Sequence, residues 1–559
     1  MSIYLERTSS PVNNPYSPFF SAFVAFFITV ILIPGLVRLA NKYKLFDVPG
    51  GRKTHLRPVP RLGGAAMLIG IIVPVTLWME VSPLLRSVVL GLAAVSLVGL
   101  LDDLIAVTWW KKLLVHLSAA SLVVMVGQVR IENLGFWSGD FLILPAWLSI
   151  AVSIVFIVGV TNAINLADGL DGLAAGLCVL IFGTILAVAY LQGLTVYFVP
   201  LCAIMGAVTG FLRYNTYPAT IFMGDSGSYL LGFSAAVFSI LVTQVPQSSV
   251  APSIILLILG LPLIDTMEVM LERLITGNPV FLPDRRHLHY RLVKLGFTHK
   301  EAVIILYALQ ALLIYMVIEL MFRPDWVVLS VFVAIAVTIV SVFFVAAKLG
   351  WRFERTWALE TWFKRRLKER YQKWLVEIPR MSIEAILVTY MVAAPMYPYL
   401  KVGSYCAILL IVPILLAANR FMFTGSLNMV YRIVAFFYLS ILTYNFVQVL
   451  PGSSSLTAMI FYGALFVLVI LLGAYIKFSS ATTFQITPLD VLVVLVAIAI
   501  PLFPMEREQA RVVSIFFFTL VAMFFSVESV MARQSTNDLI LSASLVIGSS
   551  TLAMRALFF

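Results

Sequence analysis

Apolar runs of about 20 residues follow one another along most of the chain, separated by short polar loops, and this pattern predicts membrane-spanning helices. Before residue 350 the run centres fall near residues 29, 71, 93, 120, 152, 182, 203, 237, 262, 312 and 337, which predicts about eleven helices. Six or seven more apolar runs follow between residues 383 and 557. Between the two sets lies KLGWRFERTWALETWFKRRLKERYQKWLVEIPR, where Phe363, Leu367, Tyr371, Trp374 and Ile378 recur as one helical stripe beside basic residues. It reads either as a helix lying in the membrane interface or as a packed connector. The expected architecture is an all-α polytopic membrane protein in three parts. These are a polytopic part over 1–347, a basic amphipathic segment over 348–382, and an accessory transmembrane region over 383–559.

Composition sharpens this picture. Hydrophobic residues make up 61% of the chain, charged residues only 12%, and the mean hydropathy is +1.01. Soluble domains hold about 45–50% apolar and about 25% charged residues. The net charge of +11 sits in a few loops, which favours membrane sidedness over a nucleic-acid partner. The loop 41–61, with Lys42, Lys44, Arg52, Lys53, Arg57 and Arg61, is expected in the cytoplasm, with the N-terminus outside. Alternation then places 102–112, 162–172, 212–228, 271–301 and 348–382 on that same side. The polar start and the long apolar run after it read as a retained first span. Cys178, Cys202 and Cys406 lie in apolar runs and read as free thiols.

Every unusual polar cluster falls in a loop assigned to the cytoplasmic side. GGRKTHLRPVPRLGG sets Lys53, His55, Arg57 and Arg61 before Gly63 and Gly64, a mixture suited to an anion or to topology alone. GLLDDLIAVTWWKK places Asp102 and Asp103 side by side, ahead of Lys111 and Lys112. Adjacent carboxylates resist burial unless a metal, a proton or a Lys offsets them. In NAINLADGLDGLAAG, Asn162, Asn165, Asp168 and Asp171 fall at intervals of three, and on a helix each neighbouring pair would share a face. Gly169 and Gly172 are expected to leave backbone open to a ligand, and the amides suit a base edge. Asp225 in MGDSGS either caps the helix that follows or holds Mg2+. DRRHLHYRL groups Arg285, Arg286, His287, His289 and Arg291 as an expected anion site, with Asp265 and Glu268 one helical turn apart upstream. Carboxylates for a metal, bases for phosphates and amides for a base edge together point to phosphoryl transfer.

LLDDL, NAINLADGLDGLAAG, YNTYPATIFMGDSGS, LPLIDT and DRRHLHYRL, in this order, resemble the polyprenyl-phosphate N-acetylhexosamine-1-phosphate transferase family over residues 20 to 350. The resemblance implies that polyprenyl phosphate attacks a UDP-sugar, releasing UMP, with Mg2+ (or Mn2+) as cofactor. It implies catalytic roles for Asp102, Asp103 and Asp225, with Asp225 as the metal ligand. Lys53, Lys112, Asn162, Asn165, Asp168, Asp171, Asn215, Arg286, His287 and His289 become substrate-binding residues. The RPVPRLGG loop and HLHYRL look closer to the N-acetylglucosamine-1-phosphate branch than to the phospho-N-acetylmuramoyl-pentapeptide branch. Donors carrying N-acetylfucosamine or N-acetylquinovosamine stay open. Tyr290 and His116 depart from the family pattern, which expects His and Gln at those places.

The resemblance further implies a bacterial inner-membrane enzyme, active at the cytoplasmic face, in the first membrane step of a cell-envelope polysaccharide such as O-antigen. Partners are the lipid, the UDP-sugar and the membrane, with a homo-oligomer or a downstream glycosyltransferase engaged through the C-terminal region. An ion or lipid transporter is the competing class. It predicts acids at mid-span and an internal repeat, whereas the acids here gather at one surface and no repeat is found.

Overall fold

The computed structural model describes residues 17–46, 58–136, 141–245, 248–277, 286–353, 371, 373–397, 427–449, 455–478, 488–499, 507–531 and 538–558. The eleven helices expected before residue 350 are all present. They are α1 (Ser17–Tyr43), α2 (Gly63–Trp78), α3 (Pro83–Ile105), α4 (Trp109–Met125), α5 (Ala146–Ala167), α6 (Leu173–Leu191), α7 (Phe198–Asn215) and α8 (Gly224–Thr243). A ninth is broken into α9 (Ile254–Ile258) and α10 (Gly260–Thr276), and after the short α11 (Leu288–Lys294) come α12 (His299–Leu320) and α13 (Asp325–Lys348). Among the described residues nine helices are long and apolar enough to cross a membrane, eight before residue 350 and one, Leu456–Tyr475, after it. A small antiparallel hairpin, β1 (Asn133–Phe136) with β2 (Phe141–Ile143), is an addition that the apolar pattern did not predict.

Local chemistry sets the helix ends. The Ser82 hydroxyl accepts from Leu85 N–H, and Pro83 opens α3 without leaving an orphaned donor. Thr298 and Glu301 cap α12 reciprocally. α5 stops at Ala167, so Asp168 and Asp171 lie in the following turn, closed by Gly172 at φ +80°. The four polar residues of NAINLADGLD therefore do not share one helix as their spacing suggested.

α8 is the centre of the bundle. Every residue from Ser226 to Thr243 is buried, and α2, α3, α5 and α6 pack around it. Such close packing needs small residues where backbones meet. A Cβ at Gly64 would strike the Gly227 backbone, and one at Gly99 would strike that of Asp225. Gly63 N–H and Gly64 N–H donate to Phe222 and Met223 carbonyls, both at 3.0 Å, so this glycine pair is consumed in packing α2 against the start of α8. Gly64→Ala is expected to cost about 1–3 kcal/mol of stability by overpacking. Gly159→Ala is the control, since a Cβ there meets nothing within 4 Å. Thermal unfolding in detergent compares the two; equal melting would refute the contact.

The loops sort to two ends of the bundle as alternation predicts. At one end Asp171 N–H donates to His299, Gly172 N–H to Asn215, and Phe353 N–H to the Leu295 carbonyl. At the other, Gln244 accepts from Glu132 and Asn133 N–H, and Asp325 accepts from Ser253 N–H. The acids and amides of the sequence clusters belong to the first end.

The chain divides into two units, Met1–Glu354 with Thr487–Pro504, and Arg355–Ile486 with Met505–Phe559. The second unit contains α14 (Ile378–Ala393), α15 (Leu427–Val449) and α16 (Ser455–Phe478), then α18 (Arg507–Met531) and α19 (Asp538–Phe558). They pack around Leu387, Tyr438, Leu439, Val527 and Leu552. The intervening α17 (Pro488–Ala499) packs on α12 and α6 of the first unit. Of the expected interfacial stripe, Phe363 and Leu367 lie outside the described residues, whereas Tyr371 and Trp374 are exposed.

Candidate active site

At one end of the bundle, the close of α3 and α5 and the start of α4 and α8 bring the acids together. Asp102 and Asp103, on the last turn of α3, point in different directions. Asp103 is buried, its side chain 2% exposed, and its two oxygens accept from the backbone N–H groups of Asp225 and Ser226, each at 3.2 Å. It thus satisfies the orphaned donors at the N-terminus of α8. Arg61 stands 4.0 Å away on the same carboxylate. Gly224 makes this approach possible: its φ is +68°, and a Cβ there would collide with Asp103. Ser96 and Ser226 hydroxyls, 2.8 Å apart, tie the same two helices together.

Asp102 turns the other way, toward the open site. One oxygen accepts from Val107 N–H at 2.6 Å and the other from the Lys112 ammonium at 2.8 Å. Lys112 also reaches Asp225 Oδ2 at 3.5 Å, so two carboxylates from α3 and α8 share one cation from α4. The other Asp225 oxygen accepts from Asn165 Nδ2 at 3.1 Å, and that amide also donates to Ser228. Tyr229 OH donates to Asp225 Oδ2 at 3.0 Å. Tyr229 was not anticipated from sequence, although its i, i+4 spacing from Asp225 places it one turn below on the same face. His116, one of the departures from the family pattern, is buried edge-on against that Tyr229 ring, 4.4 Å between centroids.

Asp168 follows the end of α5, and its carboxylate has no hydrogen-bond partner among the described residues. Burial, then the charges of Asp225 and Asp103, push its carboxyl up to about 7. A carboxylate perturbed in this way is a candidate for a functional site.

Other expected binding residues are engaged by the protein itself. Asn162 donates back to the Val158 carbonyl at 3.0 Å. Asn215 is buried, accepting from Gly172 N–H and donating to the Ile221 carbonyl. Asp171 accepts from Ala219 N–H at 2.9 Å. Asn215 and Asp171 bind loops to each other, whereas Asn162 bonds within its own helix. The space expected open at Gly169 is filled by the His289 ring.

The HLHYRL segment also differs from a free anion site. Asp265 on α10 accepts from Leu288 N–H at 2.8 Å and holds His287 Nδ1 at 3.0 Å. Burial lowers His289 to about 4, so it is a neutral ring at neutral pH. Arg286 pairs with Glu272 at 3.1 Å, and Arg291 pairs with both Glu268 and Glu272. Glu268 and Glu272 on α10 offset its charge. Lys53, His55, Arg57 and Arg285 lie outside the described residues.

The donor set fits a hard divalent cation. Among the described residues no three His, Cys, Asp or Glu side chains form a closed cage. Mg2+ characteristically takes one or two carboxylates and completes its shell with water and substrate phosphate. Asp225, with Asp102 or Asp168 beside it, supplies that kind of incomplete oxygen site.

Fold and site together define a polytopic membrane protein with an acid-rich centre at one end of a helical bundle. A family model for glycosyl transferase family 4 matches residues 85–243, the stretch holding Asp102, Asp103, Lys112, Asn165, Asp168, Asp171, Asn215 and Asp225. A Bacillus subtilis protein, described as a probable undecaprenyl-phosphate N-acetylglucosaminyl 1-phosphate transferase, is 34% identical over 355 residues, 62% of this chain and 96% of that protein. The decaprenyl-phosphate N-acetylglucosaminephosphotransferase of Mycobacterium tuberculosis H37Rv is 31% identical over 320 residues, 51% of this chain and 77% of its own length. The Escherichia coli K12 undecaprenyl-phosphate alpha-N-acetylglucosaminyl 1-phosphate transferase is 27% identical over 356 residues, covering 62% and 94%. The chain belongs to glycosyl transferase family 4, and is a multi-pass membrane transferase of its N-acetylglucosaminyl 1-phosphate branch.

Proposed function

We propose that the protein transfers N-acetylglucosamine 1-phosphate from UDP-N-acetylglucosamine to polyprenyl phosphate, undecaprenyl phosphate in a bacterial inner membrane. The observation that carries this reading is the Lys112 ammonium held between Asp102 and Asp225, with unpartnered Asp168 alongside. In the reaction a phosphate oxygen of the lipid attacks the sugar-bearing phosphorus of the donor. The bond to the uridine-bearing phosphate breaks, UMP leaves, and a lipid-linked diphosphate sugar forms.

Asp102, open to the site, would take any proton carried by the lipid phosphate. Asp103 serves as a positioning residue, holding the α8 N-terminus and so Asp225 in place. Asn165 and Tyr229 fix the two oxygens of Asp225, and Lys112 offsets charge on the phosphates as they approach. Asp225, with Asp102 or Asp168, would hold Mg2+, whose chemistry there is to neutralise phosphate charge. The helix-end location suits a cytoplasmic-face site: the lipid phosphate stays at headgroup depth, its chain stays in hydrocarbon, and the nucleotide sugar arrives from the cytosol. The product would open a cell-envelope polysaccharide pathway.

The test is UMP release by purified protein with undecaprenyl phosphate, Mg2+ and a panel of UDP-sugars. UMP release that needs both lipid and metal, falls to background with EDTA, and is fastest with UDP-N-acetylglucosamine is expected. Release indifferent to lipid or metal would overturn the reaction, and a faster alternative donor would overturn the sugar.

A further inference from the structure

A groove of about 1070 Å³ runs between α10 and α13, on the side of α10 that carries Glu268 and Glu272. Its walls are apolar and face outward. Met267 and Leu271 on α10, and Val337 and Phe344 on α13, are each at least 50% exposed and line it. In a membrane such walls meet acyl chains. One end is different in kind: Arg286, Arg291, Lys294 and Arg352 converge there with only Glu268 and Glu272 opposing them. Both glutamates are already committed to Arg286 and Arg291. Lys294 and Arg352 are exposed and make no ion pair among the described residues, so two cations stand at the groove mouth beside the paired arginines. Trp351, about half exposed, lies beside them and contacts Phe297, which stacks on Phe353. Trp at a helix end with adjacent cations is the composition of the headgroup layer.

We propose that this groove is a binding site for an anionic membrane phospholipid, its acyl chains between α10 and α13 and its phosphate against Lys294 and Arg352. Basic pockets between spans at the inner leaflet are suited to anionic headgroups. The site is distinct from the Asp102–Lys112–Asp225 centre, whose residues do not line it. A lipid seated there would press on α10, the helix whose Asp265 holds His287, and so would steady that segment.

The test uses full-length protein in nanodiscs and native mass spectrometry of protein released with bound lipid. With phosphatidylglycerol present, a retained lipid adduct and a raised melting temperature are expected; with phosphatidylcholine alone, neither. Each cation near an anionic headgroup contributes about fivefold in affinity, so Lys294→Gln with Arg352→Gln is expected to weaken phosphatidylglycerol retention about 30-fold. Val337→Trp, which fills the apolar wall, is expected to reduce it without changing charge. Equal retention of phosphatidylcholine, full retention by both variants, or displacement of phosphatidylglycerol by equimolar undecaprenyl phosphate would each overturn the assignment, the last by making the groove the acceptor's own. None of these outcomes bears on UMP release, so the lipid site and the reaction fail or stand separately.

Discussion

Asp225→Asn is expected to lower the rate of UMP release by about 10³-fold or more while the protein keeps its fold. The carboxylate sits at the start of the central helix and receives donors on both oxygens, Asn165 on one and Tyr229 with Lys112 on the other. An amide has nearly the same shape, so the packing around α8 is retained. Its NH2 must face one of those donors, and although Asn165 or Tyr229 can turn to accommodate it, the lost negative charge has no substitute. The proposed metal site and the grip on Lys112 both depend on that charge. Turnover under saturating substrates, alongside gel filtration and melting in detergent, checks the prediction. A folded variant working near the parent rate would remove Asp225 from the chemistry.

The second large effect is expected at Lys112. Replacement by Met keeps the length of the side chain and deletes the cation that Asp102 and Asp225 share. Two phosphorylated substrates must then meet beside carboxylates with no fixed positive charge between them, and turnover is expected to fall about 10²–10³-fold. Metal binding should behave differently. With the ammonium gone, Asp102 and Asp225 are free to face an ion, so Mn2+ affinity measured by electron paramagnetic resonance is expected to hold or tighten. Lys112→Arg should recover only part of the rate, because a planar fork does not replace a point charge seated between two carboxylates. Loss of Mn2+ binding together with activity would instead mean that Lys112 holds the site's shape.

Apolar run length and loop charge were enough to locate the eleven apolar helices expected before residue 350 and to sort their loops to two ends. Hydrogen bonding decided what periodicity alone did not. Spacing by three suggested that neighbouring pairs among Asn162, Asn165, Asp168 and Asp171 share a helix face, but Asp168 and Asp171 lie beyond the end of α5. Of the four, Asn165 touches Asp225 and Asp168 stands open. Asn162 and Asp171 serve the backbone. The two adjacent aspartates were indistinguishable as letters, and only the packing of α3 on α8 turns Asp103 into a cap and leaves Asp102 at the site. Arg286 and Arg291 read as part of an anion site, and only the fold pairs them with Glu268 and Glu272 on α10.

The placement of α17 changes what counts as the enzyme. That helix comes late in the chain, after most of the second unit, yet it lies against α6 and α12 and buries Leu492 in the first. α6 follows directly on the Asp168–Gly172 turn, and α12 begins with His299, whose ring accepts from Asp171 N–H. The transferase unit is therefore discontinuous in sequence. A chain ending at residue 354 would retain every acidic residue of the centre and lack the helix that packs on α6 and α12.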